Sequence, residues 1–127
     1  MKLSQRDLDR LIGVNPSLIS ILKEASIDSP YEFHIPQDGG VRTALRQNQL
    51  FLAGKSKCDG YKKLGKHQSG KAFDIFLMID EKASWNKPAL KATMYHIKKI
   101  AMDKFNVKLN LGCDWVNFVD YPHAELL

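Results

Sequence analysis

Residues 71–79, KAFDIFLMI, form one of the most apolar stretches of the chain, yet Asp74 stands in the middle of them. Their length and aromatic content predict a strand. Asp74 then shares a face with Ala72 and Phe76, while Phe73, Ile75 and Leu77 take the other. An ionised carboxylate buried without a partner costs several kcal/mol even after relaxation. The fold must therefore bring a compensating group to Asp74. A salt bridge or a set of backbone hydrogen bonds is the simplest answer. A metal ion is the alternative, and it requires further ligands.

The rest of the chain supplies helices first and strands between them. Ser4, with Asp7 as a short capping-box partner, starts a helix that Gly13 ends. Asn15-Pro16 restarts it, and Leu18, Ile21, Leu22 and Ala25 fall on one side of a second helix. Residues 31–35 alternate as a strand, with Glu32 and His34 on the solvent side, and Gly39-Gly40 is a turn. A helix over 43–53 stops at Gly54, and 55–66 is a polar loop. A loop after residue 79 leads to the clearest helix, 89–105. Residues 107–111 alternate as a strand, and 115–127 read as extended, bent by Pro122. Without regular βαβ alternation, this order predicts an α+β fold, a small antiparallel sheet with helices packed on it. A length of 127 residues predicts a single domain.

Charged residues are 26% of the chain, and no stretch reaches the ~20 apolar residues of a membrane span, so no stable membrane insertion is expected. The opening, MKLSQRDLDR, lacks the apolar segment of a secretory signal. Cys58 and Cys113 occur in unrelated contexts and are expected as free thiols. The net charge of +5 favours an anionic partner, whether nucleic acid, headgroups or envelope polymers. No dense basic patch interleaved with aromatics is present, so nucleic acid is not expected.

Asp74 has ligand-type company. His67 lies seven residues earlier, just before Gly70, and can converge with it from a loop. This spacing alone is common by chance. The stretch DWVNFVDYPHAEL adds Asp114, Asp120, His123 and Glu125. Two histidines and one carboxylate leave a tetrahedral zinc ion with an open position, and a nearby carboxylate can act as base. Asp120 and Glu125 are both close enough to His123 in sequence. Glu125 shares a strand face with it; the bend at Pro122 keeps Asp120 in contention.

These residues resemble the zinc D-Ala-D-Ala carboxypeptidases and dipeptidases and the related phage L-alanyl-D-glutamate endopeptidases. The pattern S-x-H-x-x-G-x-A-x-D is matched by residues 65–74, with Gly65 in place of serine. The pattern G-D-W-x-x-F-x-D/E-x-P-H-F-E is matched by 113–125, with Cys113 for glycine and Ala124 for the aromatic. A third, G-x-R-T-x-x-x-Q, fits 40–47. Together they run in order through residues 39–127.

The resemblance implies a zinc site in a cleft on the sheet, with His67, Asp74 and His123 as ligands. It implies Asp120 as general base, where many relatives have glutamate, with Glu125 as the alternative. Arg42 would bind substrate and stabilise the oxyanion, with Gln47 as a supporting substrate-binding residue. Residues 4–27 would be N-terminal helices on a catalytic core of 31–127. The implied activity is a Zn2+-dependent peptidase on peptidoglycan stem peptides. Lacking an export signal, such a chain fits a phage endolysin that cuts between L-Ala and D-Glu. It would be a monomer, made in the host cytoplasm, released by a separate holin and active in the periplasm or cell wall. The alternatives are a D-Ala-D-Ala carboxypeptidase or dipeptidase and, in another class, a non-catalytic cell-wall-binding relative. The intact ligand set argues against the last.

Overall fold

The expected first helix begins where Ser4 and Asp7 cap each other, in a computed structural model that describes all 127 residues. α1 (Gln5–Arg10) is short, and α2 (Pro16–Ile27) follows with Asn15 accepting from the Ser17 N–H. Thr43 caps α3 (Ala44–Leu52), and Asn86 caps the long α4 (Lys87–Phe105). α2 packs on α4, and His96 reaches across to the Ala25 carbonyl at 2.9 Å.

The architecture is α+β and antiparallel throughout, with two three-stranded sheets. One has the order β1 (Glu32–His34), β3 (Phe76–Ile79), β4 (Lys82–Ser84). The other has the order β2 (Ala72–Asp74), β6 (His123–Leu126), β5 (Leu109–Leu111). The apolar run 71–79 thus serves both sheets instead of forming one strand. The division falls at Asp74 and Ile75, whose backbone N–H groups donate to the Gly39 and Pro122 carbonyls, each at 2.9 Å. The alternation survives the division: Phe73, Ile75 and Leu77 are wholly buried, while Asp74 and Phe76 are only partly so.

Two further differences from the sequence reading have local causes. The loop after residue 79 contains β4, joined to β3 by a two-residue hairpin in which Asp80 and Glu81 have φ of 52° and 64°. Positive φ at both positions suits the twist of a tight hairpin. The extended C-terminal segment narrows to β6, the chain before it being turned where Phe118 takes φ of 54°.

The core joins α2, α4 and the inner faces of both sheets around Phe33, Phe73, Leu22 and Ile97. Asp7 is wholly buried and does more than cap α1. Its carboxylate accepts from the Ile35 N–H and from His34 Nδ1, both within 2.8 Å. His34, expected on the solvent side, instead links α1 to Glu32 on β1.

Candidate metal centre and active-site cleft

β2 and β6 pair so that Asp74 lies opposite His123. Residues directly opposite in an antiparallel ladder share a face. His67 arrives from the loop before β2, held by a backbone bond from the Arg42 N–H to the His67 carbonyl and a side-chain bond from His67 Nδ1 to the Gly40 carbonyl. Gly40 permits this because its backbone packs on α1; a Cβ there would lie 2.0 Å from the Arg10 carbonyl oxygen.

The result is a nearly equilateral triangle of donor atoms. His67 Nε2 is 3.1 Å from His123 Nδ1 and 3.2 Å from Asp74 Oδ1, and the last two are 3.1 Å apart. A tetrahedral ion with bonds of about 2.0–2.2 Å holds its ligands about 3.3–3.5 Å apart. The triangle is therefore close to the size a zinc-like ion requires, and its N, N, O donors suit one.

Proton placement points the same way. His67 Nδ1 faces the Gly40 carbonyl and must donate to it, which leaves Nε2 directed at Asp74 and His123. His123 Nε2 donates to Glu125 Oε1 at 2.7 Å. Burial pulls the His123 pKa down, but hydrogen bonds to Asp74 and Glu125 prevail and raise it to about 9. His123 Nδ1 lies within hydrogen-bond distance of both Asp74 Oδ1 and His67 Nε2, so the three atoms converge on one point, the place a cation would take.

Asp74 receives both kinds of compensation. Burial alone would raise its pKa, but His67 and His123 hold it well below the usual carboxylate range. Its other oxygen accepts from Arg42 Nη2 at 3.1 Å. Arg42 also donates to the Asp38 carbonyl and to Gln47 Oε1. Gln47 is only 1% exposed, and its amide nitrogen is taken by Ser56 Oγ and the Cys58 carbonyl. It therefore braces Arg42 against the polar loop.

Asp120 opens into the same cleft, a cavity of about 400 Å³. Burial and the Asp74 charge raise its pKa, with the histidines and Arg42 opposing, and no hydrogen bond contributes. It reaches this position by packing its backbone on Gly112: the Asp120 N–H donates to the Gly112 carbonyl at 3.0 Å. A Cβ on Gly112 would lie 2.1 Å from the Asp120 carbonyl oxygen. Glu125 lies on the far side of the His123 ring, engaged by His123 Nε2 and by Lys66 at 3.6 Å. The Trp115 ring lies tilted against that of His123, with centroids 5.2 Å apart.

The structure brings together Arg42, Gln47, His67, Asp74, Asp120, His123 and Glu125 of the residues singled out from sequence. Asp114 stays outside, exposed and hydrogen-bonded to Tyr95. Sequence reasoning missed the supports: Gly40, Gly112 and the bond from His123 to Glu125. Only the last had a signal, the two-residue spacing on one strand. Cys58 also lines the cleft.

Two imidazoles, a carboxylate and an uncommitted acid in one cleft are the equipment of a metal-dependent hydrolase. The chain belongs to the phage L-alanyl-D-glutamate peptidase family, whose model matches residues 1–126. Its fold is similar to that of the L-Ala D-Glu endopeptidase ChiX of Serratia marcescens, with a TM-score of 0.86 at 24% identity over 100% of this chain and 90% of that one. No curated protein matches it in sequence. No helix is long and apolar enough to cross a membrane.

Proposed function

We propose that the chain is a zinc endopeptidase that hydrolyses the L-Ala-D-Glu bond of peptidoglycan stem peptides. Family membership supports the activity, and the His67, Asp74, His123 triangle is the observation that carries the chemistry. These side chains would hold the ion, and zinc so held would supply a Lewis acid that acidifies water and polarises a carbonyl.

Asp120 is the general base in this reading. Its carboxylate has no hydrogen bond from the protein, so it is free to take a proton from the attacking water. The same group returns the proton to the departing D-glutamate nitrogen. Arg42 fixes Asp74 through one nitrogen and lines the cleft, where the N–H donors not used by the protein would stabilise charge on the carbonyl oxygen. Gln47 holds Arg42 in that orientation. Glu125 keeps His123 in the tautomer that presents Nδ1. Residues 4–27 form a brace for the core of 31–127, and the enzyme acts as a monomer. A phage endolysin made in the host cytoplasm and released by a separate holin is the setting that fits.

Digestion of purified peptidoglycan, with and without a chelator, tests the activity. The expected result is solubilised murein with new D-glutamate N-termini, abolished by the chelator and restored by zinc. Free D-alanine without solubilisation would instead mark a D-Ala-D-Ala carboxypeptidase. No product with wall binding retained would mark a non-catalytic binder.

A further inference from the structure

The wall of the cleft formed by the polar loop carries more positive charge than the proposed chemistry uses. Lys55, Lys57, Lys63 and Lys66 all line it. Lys66 is engaged by Glu125 and by the Leu126 carbonyl. The other three form no salt bridge; Lys57 lies instead over the Phe118 ring at 5.1 Å, spanning the two walls. The loop is held in shape. Gln47 bonds Ser56 and the Cys58 carbonyl, Asn48 bonds the Asp59 carbonyl, and Gln68 bonds the Gly60 carbonyl. Asp59, the loop's only acid, turns Oδ1 onto the backbone N–H groups of residues 61–63. The ammonium groups are thus left for a ligand.

The substrate offers a matching group. In the stem peptide, D-glutamate continues through its γ-carboxyl, so its α-carboxylate stays free. That carboxylate sits one carbon from the nitrogen released on cleavage. Any productive pose therefore brings an anion into the cleft beside Asp120.

Resting on the proposed activity, we propose that Lys55, Lys57 and Lys63 form a subsite for the free carboxylates on the D-glutamate side. The enzyme then selects stems whose D-glutamate is unamidated over those carrying D-isoglutamine. A wall of like charge rewards the acid and gives the neutral amide nothing in return.

The test uses the full-length, zinc-loaded Asp120→Asn variant. Titration calorimetry compares N-acetyl-L-alanyl-γ-D-glutamyl-L-lysine with its D-isoglutamine counterpart. The acid is expected to bind roughly tenfold tighter, with the preference shrinking at high salt. Adding Lys55→Gln, Lys57→Gln and Lys63→Gln together removes the preference by weakening the acid alone. The corresponding three Lys→Arg changes retain it. Equal binding of acid and amide, or a preference that survives the glutamines, overturns the subsite. If these lysines served only to hold anionic wall polymer, equal binding would be the result. The activity is read separately, with wild-type protein on murein. Intact murein with the binding preference present defeats the peptidase reading and leaves the subsite standing; cleaved murein with equal binding does the reverse.

Discussion

Removing the Glu125 carboxylate separates two roles that its sequence position leaves open. In the structure it accepts from His123 Nε2 at 2.7 Å, with both side chains largely buried. A hydrogen bond to a charged partner of this kind contributes about 1.5–3 kcal/mol. At 1.4 kcal/mol per factor of ten, that is roughly 10- to 150-fold in zinc affinity, in line with the roughly 10- to 100-fold typical of groups behind a metal ligand. Part of this is offset. Glu125 also stabilises the His123 imidazolium, whose proton zinc must displace. The net loss for Glu125→Ala at neutral pH is therefore expected near the lower end, about tenfold. Glu125→Gln keeps a neutral acceptor and loses less. Competition with a chromophoric chelator measures the affinity, and turnover at saturating zinc measures what remains. Turnover restored by zinc supports the positioning role. An unchanged zinc affinity with turnover lost beyond rescue would refute it and make Glu125 the base.

Asp120→Asn should retain zinc while kcat falls by roughly 10²–10⁴; near-normal turnover removes Asp120 from the mechanism. Gly112→Ala pushes on the Asp120 carbonyl from 2.1 Å. A displacement of about 1 Å costs on the order of 10²-fold, so kcat should fall with zinc affinity nearly intact. Zinc at about 1,000 times its Kd should stabilise the fold by roughly 4 kcal/mol, read as a shift in the denaturant midpoint that a chelator reverses. The bridge from Asp7 to His34 should make stability depend on pH. Burial opposes both charges, but hydrogen bonds from the Ile35 N–H and then His34 lower Asp7 below 3.8, and those to Asp7 and Glu32 raise His34 above 6.5. The His34 contribution is full below its ordinary pKa and is lost as pH rises through the raised one. The Asp7 contribution is full above its ordinary pKa and is lost as pH falls through the lowered one. His34→Gln should thus destabilise more at pH 5.5 than at pH 9, by denaturant titration; equal losses would show that His34 contributes no charge.

What could be read in advance was whatever a residue's own environment demanded. Asp74 in an apolar run required partners, and the structure provides a salt bridge from Arg42 and, beside it, two imidazoles that complete a donor set able to hold an ion. The helix starts at Ser4 and Asn15 were legible because capping is local. The division of 71–79 between sheets was not. It depends on carbonyls of Gly39 and Pro122, which no periodicity reveals. β4 was hidden for a related reason: Lys82-Ala83-Ser84 has little strand preference of its own and is a strand because β3 pairs with it. His34 alternates outward as expected from β1, yet α1 covers that side and brings Asp7 to it. The lysines of the cleft wall looked like a solvated loop, since only tertiary bonds from α3 turn that loop toward the site.

The pairing of β2 with β6 links the fold to the site more tightly than the motifs suggest. Phe73 lies opposite Ala124, and both are wholly buried on the core side of the ladder. Asp74 opposite His123 and Ala72 opposite Glu125 occupy the alternate positions. A slip of one residue would turn Phe73 or Ala124 outward and break the donor triangle in the same movement. Hydrophobic burial therefore selects the register that assembles the ligands, before any ion contributes. His67, Arg42 and Asp120 are not on this ladder. They are carried by loops whose backbone bonds close directly onto it or its neighbours: Asp74 to Gly39, Arg42 to His67, Asp120 to Gly112. That division explains why the glycines matter as much as the ligands. The ladder positions two side chains of the donor triangle by packing, and the glycines let the loops come near enough to supply the rest.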